Sequence, residues 1–216
     1  MDSSQDFEHL RAEMVRQLVE RGIKSTRVLA AMDRVPRERF LPPKLVHLAY
    51  ADRAVPIGCE QTISQPYIVA LMSEALQLSG VEHVLEIGTG SGYQSAILAE
   101  LAASVVSVER NAELARRAEL KLAQYGYKNV TLAVADGTLG WPELAPYDRI
   151  VVTAAANHIP PALEEQLAEG GILVIPLGDS EGQELQAFRK VAGRLQGELL
   201  SSCRFVPLVG AQQEPK

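Results

Sequence analysis

The sequence contains little cysteine and no dense cluster of positive charge. Its 216 residues include 2 cysteines, and 27 acidic residues outnumber 21 lysines and arginines, for a formal net charge of −6 at pH 7. Cys59 and Cys203 lie far apart in the chain, and neither they nor the histidines show a metal-ligand spacing. We therefore expect free thiols and no metal ion. Proteins that bind phosphate backbones usually carry a basic face, so nucleic acid is not an expected partner.

The sequence also lacks a long apolar run. No stretch approaches the roughly 18 apolar residues that a membrane-spanning helix needs, and the chain starts with the acidic and polar segment Met1 to Asp6. We expect neither a membrane span nor a signal peptide, and we interpret the chain as a cytoplasmic protein. The expected oligomeric state is a monomer.

One domain over residues 1–216 is predicted, because no repeat or flexible linker divides the chain. Residues 1–60 form an N-terminal appendage of helices and loops in this interpretation, residues 61–210 form the core, and residues 211–216 form a tail. Apolar residues at helical spacing predict a first helix that ends at Gly22, and a second is expected over Thr26 to Arg34.

Strands and helices alternate regularly from Gln65 onwards. Runs of β-branched residues between amphipathic helices predict a doubly wound, mostly parallel α/β sheet of the Rossmann-like type. The end of the chain differs, since residues 184–191 and 198–205 read as an antiparallel edge pair with Gly193 and Gly197 between them. The predicted parallel strands are 84–87, 105–108, 130–134, 149–152 and 172–175. The predicted helices run from Pro66 to Gly80, over 93–101 and 112–125, and from Pro160 to Leu167.

The segment Glu86 to Gly92, the glycine loop, has the sequence EIGTGSG and lies between a strand and a helix. Glycines in this position allow a tight turn and a close approach to a ligand. The spacing G-x-G-x-G differs from the dinucleotide fingerprint G-x-G-x-x-G. A carboxylate at Glu86 is also unfavourable for a pyrophosphate, whereas it suits the cationic aminoacyl end of S-adenosylmethionine. The loop therefore predicts a methyltransferase with that cofactor.

Two further acidic residues follow the next two predicted strands. Glu109 stands where a carboxylate can accept both ribose hydroxyls, and Asp136 precedes Gly137 where a side chain can reach the adenine. Because the carboxyl ends of parallel strands meet at one edge, these groups are expected to converge on one crevice. The alternative is a generic glycine turn with surface carboxylates.

The segment Gln61 to Tyr67, hereafter the Ser64 segment, is a polar stretch that leads into a helix. On its own it favours a simple cap, in which Ser64 or Gln65 caps the helix that Pro66 begins.

Taken together, these motifs resemble the protein-L-isoaspartate O-methyltransferase family, over residues from about 10 to about 210. The Ser64 segment and the ending Phe205 to Leu208 are the most particular to that family. The other matching stretches are Val35 to Glu38, Ala54 to Gly58, Val84 to Tyr93, Ser107 to Arg110, Gly140 to Pro142, Ala145 to Asp148 and Val152 to Ala156.

The resemblance implies a repair enzyme that methylates the free carboxylate of L-isoaspartyl residues in damaged proteins and peptides and leaves S-adenosyl-L-homocysteine. It implies that Ser64 is the active-site hydroxyl and that Ile63 and Val206 meet the substrate. The implied cofactor contacts are Thr62, Glu86, Gly88, Thr89, Gly90, Ser91, Gly92, Glu109, Arg110, Asp136 and Gly137.

The chain departs from the family pattern at Glu60, where many members have glycine, and at Ala135. Glu60 close to an anionic substrate would weaken binding, and neither departure removes a functional side chain. The competing hypotheses are a methyltransferase acting on RNA or a small molecule, a cofactor-bound interaction protein without catalysis, and a nicotinamide-dependent oxidoreductase.

Overall fold

A seven-stranded sheet forms the centre of the computed structural model, which describes residues 3–179 and 181–213. The strand order is β5-β4-β3-β6-β7-β8-β9. A separate two-stranded hairpin, β1 (Val55–Gly58) with β2 (Gln61–Ile63), precedes the sheet in sequence. The strands of the sheet are β3 (His83–Ile87), β4 (Ser104–Glu109), β5 (Val130–Val134), β6 (Tyr147–Val152), β7 (Leu167–Gly178), β8 (Gln183–Val191) and β9 (Arg194–Cys203).

Strands β3 to β7 pair in parallel, while β8 and β9 pair antiparallel at one edge. This confirms the predicted fold class. Ile87, the last residue of β3, pairs with Val108 of β4 and with Val152 of β6, so the carboxyl ends of the three strands lie level. The residues next to these three paired positions, Gly88, Glu109 and Thr153, are thereby brought to one edge of the sheet.

Helices cover both faces of the sheet. They are α1 (Ser3–Glu20), α2 (Thr26–Arg34), α3 (Pro66–Ala75), α4 (Tyr93–Leu101), α5 (Ala112–Gln124) and α6 (Pro161–Gln166). Short 3₁₀ helices span Arg37–Phe40, Pro43–Leu48, Gly137–Leu139 and Pro142–Leu144. Among the described residues, no helix is long and apolar enough to cross a membrane.

Adjacent strand residues enter opposite hydrophobic layers, because successive side chains point to opposite faces of a sheet. Val84 joins a layer with Met32 of α2 and Ile97 of α4, whereas Leu85 joins a second layer with Leu163 of α6. The helices of the predicted appendage thus pack into the same layer as the helix that follows the glycine loop. Residues 1–2 and 214–216 of the predicted appendage and tail lie outside the described residues.

Three predicted boundaries were wrong. Helix α3 ends at Ala75 and not near Gly80, since Gln77 has a left-handed φ of 52°. Strand β7 begins at Leu167, which pairs with Tyr147, so it passes through the two glycines expected to precede it and shortens α6. These boundaries depend on contacts between segments that are distant in sequence.

The edge hairpin also differs from its prediction. Only Ala192 and Gly193 form the turn, with φ values of 50° and 73°, as a tight two-residue hairpin requires. Gly197 lies within β9, where an added Cβ would come 2.5 Å from the Phe188 ring. Strand β9 ends at Cys203, and the residues that follow cross the carboxyl edge of the sheet as an irregular segment.

Candidate active site

A cavity of about 740 Å³ opens at the carboxyl ends of the parallel strands. Three stretches contribute most of its lining: Cys59 to Gln65, Ile87 to Ser91, and Ser202 to Val209. The predicted site residues that line it are Thr62, Ile63, Ser64, Gly88, Thr89, Gly90, Ser91, Glu109, Arg110, Gly137 and Val206. Glu86, Gly92 and Asp136 are not among the lining residues.

The glycine loop is shaped by contacts that exclude side chains. Gly88 has a φ of 95°, and an added Cβ would lie 2.3 Å from Thr153 Oγ1. That hydroxyl donates to the Gly88 carbonyl at 2.6 Å. Gly92, which precedes α4, has a φ of 85°, and its added Cβ would lie 3.2 Å from the Ala118 Cβ of α5. The loop backbone therefore stays open towards the cavity, and Gly92 serves packing beneath it.

The Glu109 side chain accepts hydrogen bonds both from the glycine loop and from the residue that caps α5. Its Oε2 accepts the Gly90 N–H at 2.9 Å and its Oε1 accepts the Asn111 N–H at 2.9 Å. Asn111 caps α5 by accepting from two backbone amides of the first turn. Each carboxylate oxygen has a second lone pair, so the side chain can still accept hydrogen bonds from a ligand in the cavity.

Glu86 lies beneath the loop and not in the cavity wall. It is fully buried, and its Oε2 accepts hydrogen bonds from the Ser107 hydroxyl at 2.6 Å and from the Ser95 hydroxyl. Its Oε1 is buried and without a hydrogen-bond partner among the described residues. Burial raises the pKa of Glu86 to about 7, and the two serine hydroxyls oppose this shift only in part.

Glu86→Gln should make the protein more stable than the wild type at pH 8 but not at pH 5. The folded-state pKa of about 7 exceeds the ordinary glutamate pKa of 4.5. The folded state therefore binds more protons between these values, and the wild type loses stability as pH rises through that window. A gain of a few degrees in Tm is expected at pH 8, since about 1 kcal/mol shifts Tm by roughly 2–4 °C at this size.

Glu82→Gln is the matched control for this prediction. Glu82 is also buried, but hydrogen bonds from Ser79 and Gly80 outweigh burial and lower its pKa to about 2. The Tm difference between this variant and the wild type should therefore not change between pH 5 and pH 8. Thermal unfolding followed by circular dichroism measures the Tm of both variants at the two pH values. A Tm difference between Glu86→Gln and the wild type that does not change with pH would contradict the raised pKa of Glu86.

The Asp136 carboxylate forms hydrogen bonds with its own turn and with Ala211, close to the C-terminus. Its carboxylate accepts the Thr138 N–H at 2.9 Å, the Thr138 hydroxyl at 2.7 Å and the Ala211 N–H at 2.7 Å. Burial acts against ionisation, but these hydrogen bonds outweigh it and lower the pKa of Asp136. Asp136 therefore does not line the cavity, whereas the neighbouring Gly137 does, and the expected reach of the Asp136 side chain to the adenine stays a prediction.

Ser64 lies at the cavity surface with a free hydroxyl. Its Oγ has no hydrogen-bond partner in the described part of the chain, and its carbonyl accepts from Arg37 Nη2 at 2.7 Å. Gln65 occupies the position before α3 and makes no side-chain cap. The capping interpretation of this segment is therefore wrong, and the Ser64 hydroxyl is available to a ligand.

The C-terminal segment, Arg204 to Val209, completes the site. The Val206 carbonyl accepts the Ala155 N–H at 2.8 Å, and the Leu208 N–H donates to the Ala155 carbonyl at 2.7 Å. Arg110 donates to the Val209 carbonyl at 3.4 Å. These bonds hold the segment across the carboxyl edge of the sheet, with Val206 facing the cavity.

Two cysteines flank the cavity. Cys59 and Cys203 both line it, and both are free thiols of intermediate exposure. Burial raises the pKa of the Cys203 thiol to about 11, so this thiol is protonated at neutral pH. This favours a packing role over nucleophilic catalysis.

Two residues near the site were missed by the sequence reasoning as contributors to it. Thr153 holds the glycine loop through its hydroxyl, and Arg37 holds the Ser64 carbonyl from a fully buried position. Both lie in stretches that matched the family pattern, which was the available signal. Their partners, however, are distant in sequence and could not be read from spacing.

Comparison with known proteins decides the family. The family model for protein-L-isoaspartate(D-aspartate) O-methyltransferase matches residues 9–213. The chain belongs to this family. A protein-L-isoaspartate O-methyltransferase from Dictyoglomus thermophilum is 54% identical over 205 residues, which are 95% of this chain and 93% of that protein. A relative from Syntrophobacter fumaroxidans, protein-L-isoaspartate O-methyltransferase 1, is also 54% identical, over 95% of this chain and 96% of its own.

Solved structures agree with this membership. One described as a protein-L-isoaspartate O-methyltransferase has a TM-score of 0.86 at 31% identity, over 94% of this chain and 67% of that one. A structure from Plasmodium falciparum, in complex with S-adenosyl-L-homocysteine, has a TM-score of 0.81 at 24% identity, over 92% of this chain and 98% of that one. The second likeness concerns the fold alone.

Proposed function

We propose that this family member is a repair methyltransferase that moves a methyl group from S-adenosyl-L-methionine to the free carboxylate of L-isoaspartyl residues in damaged proteins and peptides. The observation that carries the proposal is the combination of two features in one cavity: the glycine loop with Glu109 on one side, and on the other the Ser64 hydroxyl, which has no partner among the described residues. Membership over residues 9–213 supports the same activity.

The residues present fit the cofactor. Gly88 presents bare backbone to the cavity, because a Cβ there would clash with Thr153 Oγ1, and the buried Oε1 of Glu86 beneath the loop has no hydrogen-bond partner among the described residues. Negative charge in this region matches a ligand with a cationic aminoacyl end. In our proposal the contacts come from Thr62, Gly88, Thr89, Gly90, Ser91, Glu109, Arg110 and Gly137. Glu86 acts from beneath the loop, Gly92 supports the loop by packing, and Asp136 contributes through the segment it holds.

When bound, S-adenosyl-L-methionine supplies an electrophilic sulfonium methyl group for attack by the acceptor carboxylate. The chain needs no general base for this transfer, because an aspartate-like acid with a reference pKa of about 3.9 is already ionised at pH 7. Ser64 donates a hydrogen bond that orients the carboxylate. The cavity walls around Ile63 and Val206 position the peptide and restrict the access of water to the reacting groups. Catalysis in this proposal is mainly positioning.

The product ester accounts for repair. Methylation converts a poor leaving group into a good one, so that the adjacent backbone nitrogen can attack the ester carbonyl, close a succinimide and release methanol. Addition of water to the succinimide then returns part of the material as L-aspartyl. Damaged proteins with flexible segments are the expected partners, since an extended stretch must enter the cavity. The monomeric state and cytoplasmic location expected from the sequence, and the absence of nucleic acid among the partners, stay predictions.

The test is a paired peptide assay. Purified protein is incubated with radiolabelled S-adenosyl-L-methionine and either an isoaspartyl peptide or its aspartyl twin of the same sequence. Label on the isoaspartyl peptide alone is the expected result. Label on neither peptide, with RNA and small-molecule acceptors tested in parallel, contradicts the proposal and separates it from the competing methyltransferase hypothesis.

A further inference from the structure

A buried positive charge lies directly behind the Ser64 segment. Arg37 begins a 3₁₀ helix in the N-terminal region and is fully buried. Its Nη2 donates to the Ser64 carbonyl at 2.7 Å and its Nε donates to the Ala49 carbonyl at 2.7 Å. The guanidinium therefore links the segment that lines the cavity to the N-terminal part of the chain.

No carboxylate forms a salt bridge with this charge among the described residues, and Asp52, whose charge acts on it from a distance, is itself paired with Arg21. Arg37 forms no salt bridge within residues 3–179 and 181–213, and its Nη1 is buried without a hydrogen-bond partner there. The neighbouring Glu38 is engaged elsewhere, by the Tyr50 hydroxyl and by Arg39. Burial lowers the pKa of Arg37 to about 10, so the group remains protonated at pH 7.

On one side of the Arg37 guanidinium lies the aromatic ring of Tyr93 and not an anion. The Arg37 guanidinium carbon lies 4.9 Å from the centroid of the Tyr93 ring. Tyr93 is the first residue of α4, directly after the glycine loop. The cation–π contact stabilises the guanidinium but leaves its charge in place. Burying an unpaired charge is costly, and a neutral side chain could hold the two carbonyls at lower cost.

We propose that Arg37 is a positioning residue of the acceptor site, whose buried charge favours an anionic group at the Ser64 hydroxyl while its hydrogen bond holds the Ser64 backbone. The inference rests on the proposed function, in which the acceptor is a carboxylate. In a low-dielectric surrounding such a charge acts over several ångströms, so it need not touch the substrate. It also opposes the unfavourable field of Glu60, an exposed residue that lines the same cavity.

The experiment separates the charge of the acceptor from its shape. Two peptides of one sequence are compared, an isoaspartyl peptide and the same peptide with its free side-chain carboxylate replaced by a carboxamide. Their Kd values are measured by calorimetry on wild type and variants in the presence of S-adenosyl-L-homocysteine, which prevents turnover. Arg37→Gln is expected to weaken binding of the acid about tenfold or more and of the carboxamide less than about threefold. The Kd of S-adenosyl-L-homocysteine should stay within about threefold of wild type.

Arg37→Lys and a matched arginine complete the design. Lysine keeps the charge but not the planar fork, so Arg37→Lys should lower kcat while keeping the preference for the acid over the carboxamide. Arg149→Gln is the control, because Arg149 also donates to two backbone carbonyls, but these belong to Leu76 and Asp148, which do not line the cavity. This variant should lower Tm and leave the preference unchanged.

Equal loss of affinity for both peptides in Arg37→Gln would show a purely structural role and overturn the inference. If Arg37→Gln does not fold, loss of the preference in folded Arg37→Lys overturns it equally. A wild-type protein that methylates no isoaspartyl peptide overturns the proposed function, and this inference with it.

Discussion

Ser64→Ala is expected to lower kcat/KM for an isoaspartyl peptide by about 10- to 150-fold. This range corresponds to about 1.5–3 kcal/mol for a hydrogen bond to a charged group. The hydroxyl lines the cavity and has no partner among the described residues, so its removal breaks no internal bond. Fold stability and cofactor affinity should therefore stay near wild type, and the loss should appear in catalysis.

Two variants sharpen this prediction. Ser64→Thr keeps a hydroxyl and should recover part of the activity. Ser201→Ala removes a hydroxyl from β9 that donates to the Ser202 carbonyl at 3.0 Å, and it should leave kcat/KM unchanged. Steady-state kinetics and calorimetry with S-adenosyl-L-homocysteine provide the measurements. A Ser64→Ala protein that loses cofactor affinity while retaining peptide turnover at saturating cofactor would refute the assignment of this side chain to the acceptor.

Gly88→Ala is expected to weaken cofactor binding about 100-fold, because a displacement of about 1 Å in a positioning group can have an effect of that size. The new Cβ would lie 2.3 Å from Thr153 Oγ1 at a φ of 95°. The clash is relieved only if the loop or Thr153 moves, and either movement disturbs the Thr153 hydrogen bonds to the Ile87 and Gly88 carbonyls. Calorimetry with S-adenosyl-L-homocysteine measures the effect.

The control for backbone strain is Gly170→Ala. Gly170 has a φ of 77° in β7, and an added Cβ would meet nothing within 4 Å. This variant carries similar backbone strain, at about 1–3 kcal/mol, but it should keep wild-type cofactor affinity. Adding Thr153→Ala to Gly88→Ala removes the hydroxyl from the clash and should restore part of the affinity. Equal losses of cofactor affinity in the Gly88 and Gly170 variants would contradict the argument that the clash with Thr153 causes the effect.

Much of the architecture follows from local sequence patterns. Helices α2 and α4 and strand β5 occupy the predicted residues, because apolar periodicity and turn residues act within a few positions. The order of strand, glycine loop and helix was equally readable. Boundaries failed where a distant partner decided them, as at Leu167, whose pairing with Tyr147 extends β7.

The sequence by itself determined the fold class and the glycine loop, and its resemblance to the family singled out Ser64 as the candidate acceptor contact. Only the tertiary structure decided which side chains face the cavity. Glu86 was correctly placed at a strand end, but alternation in the strand directs it beneath the loop, where serines of α4 and β4 surround it. Asp136 meets Ala211, which lies 75 positions away, and Arg37 meets Ser64 across 27 positions. Such partners arise from packing of remote segments, and no local spacing encodes them.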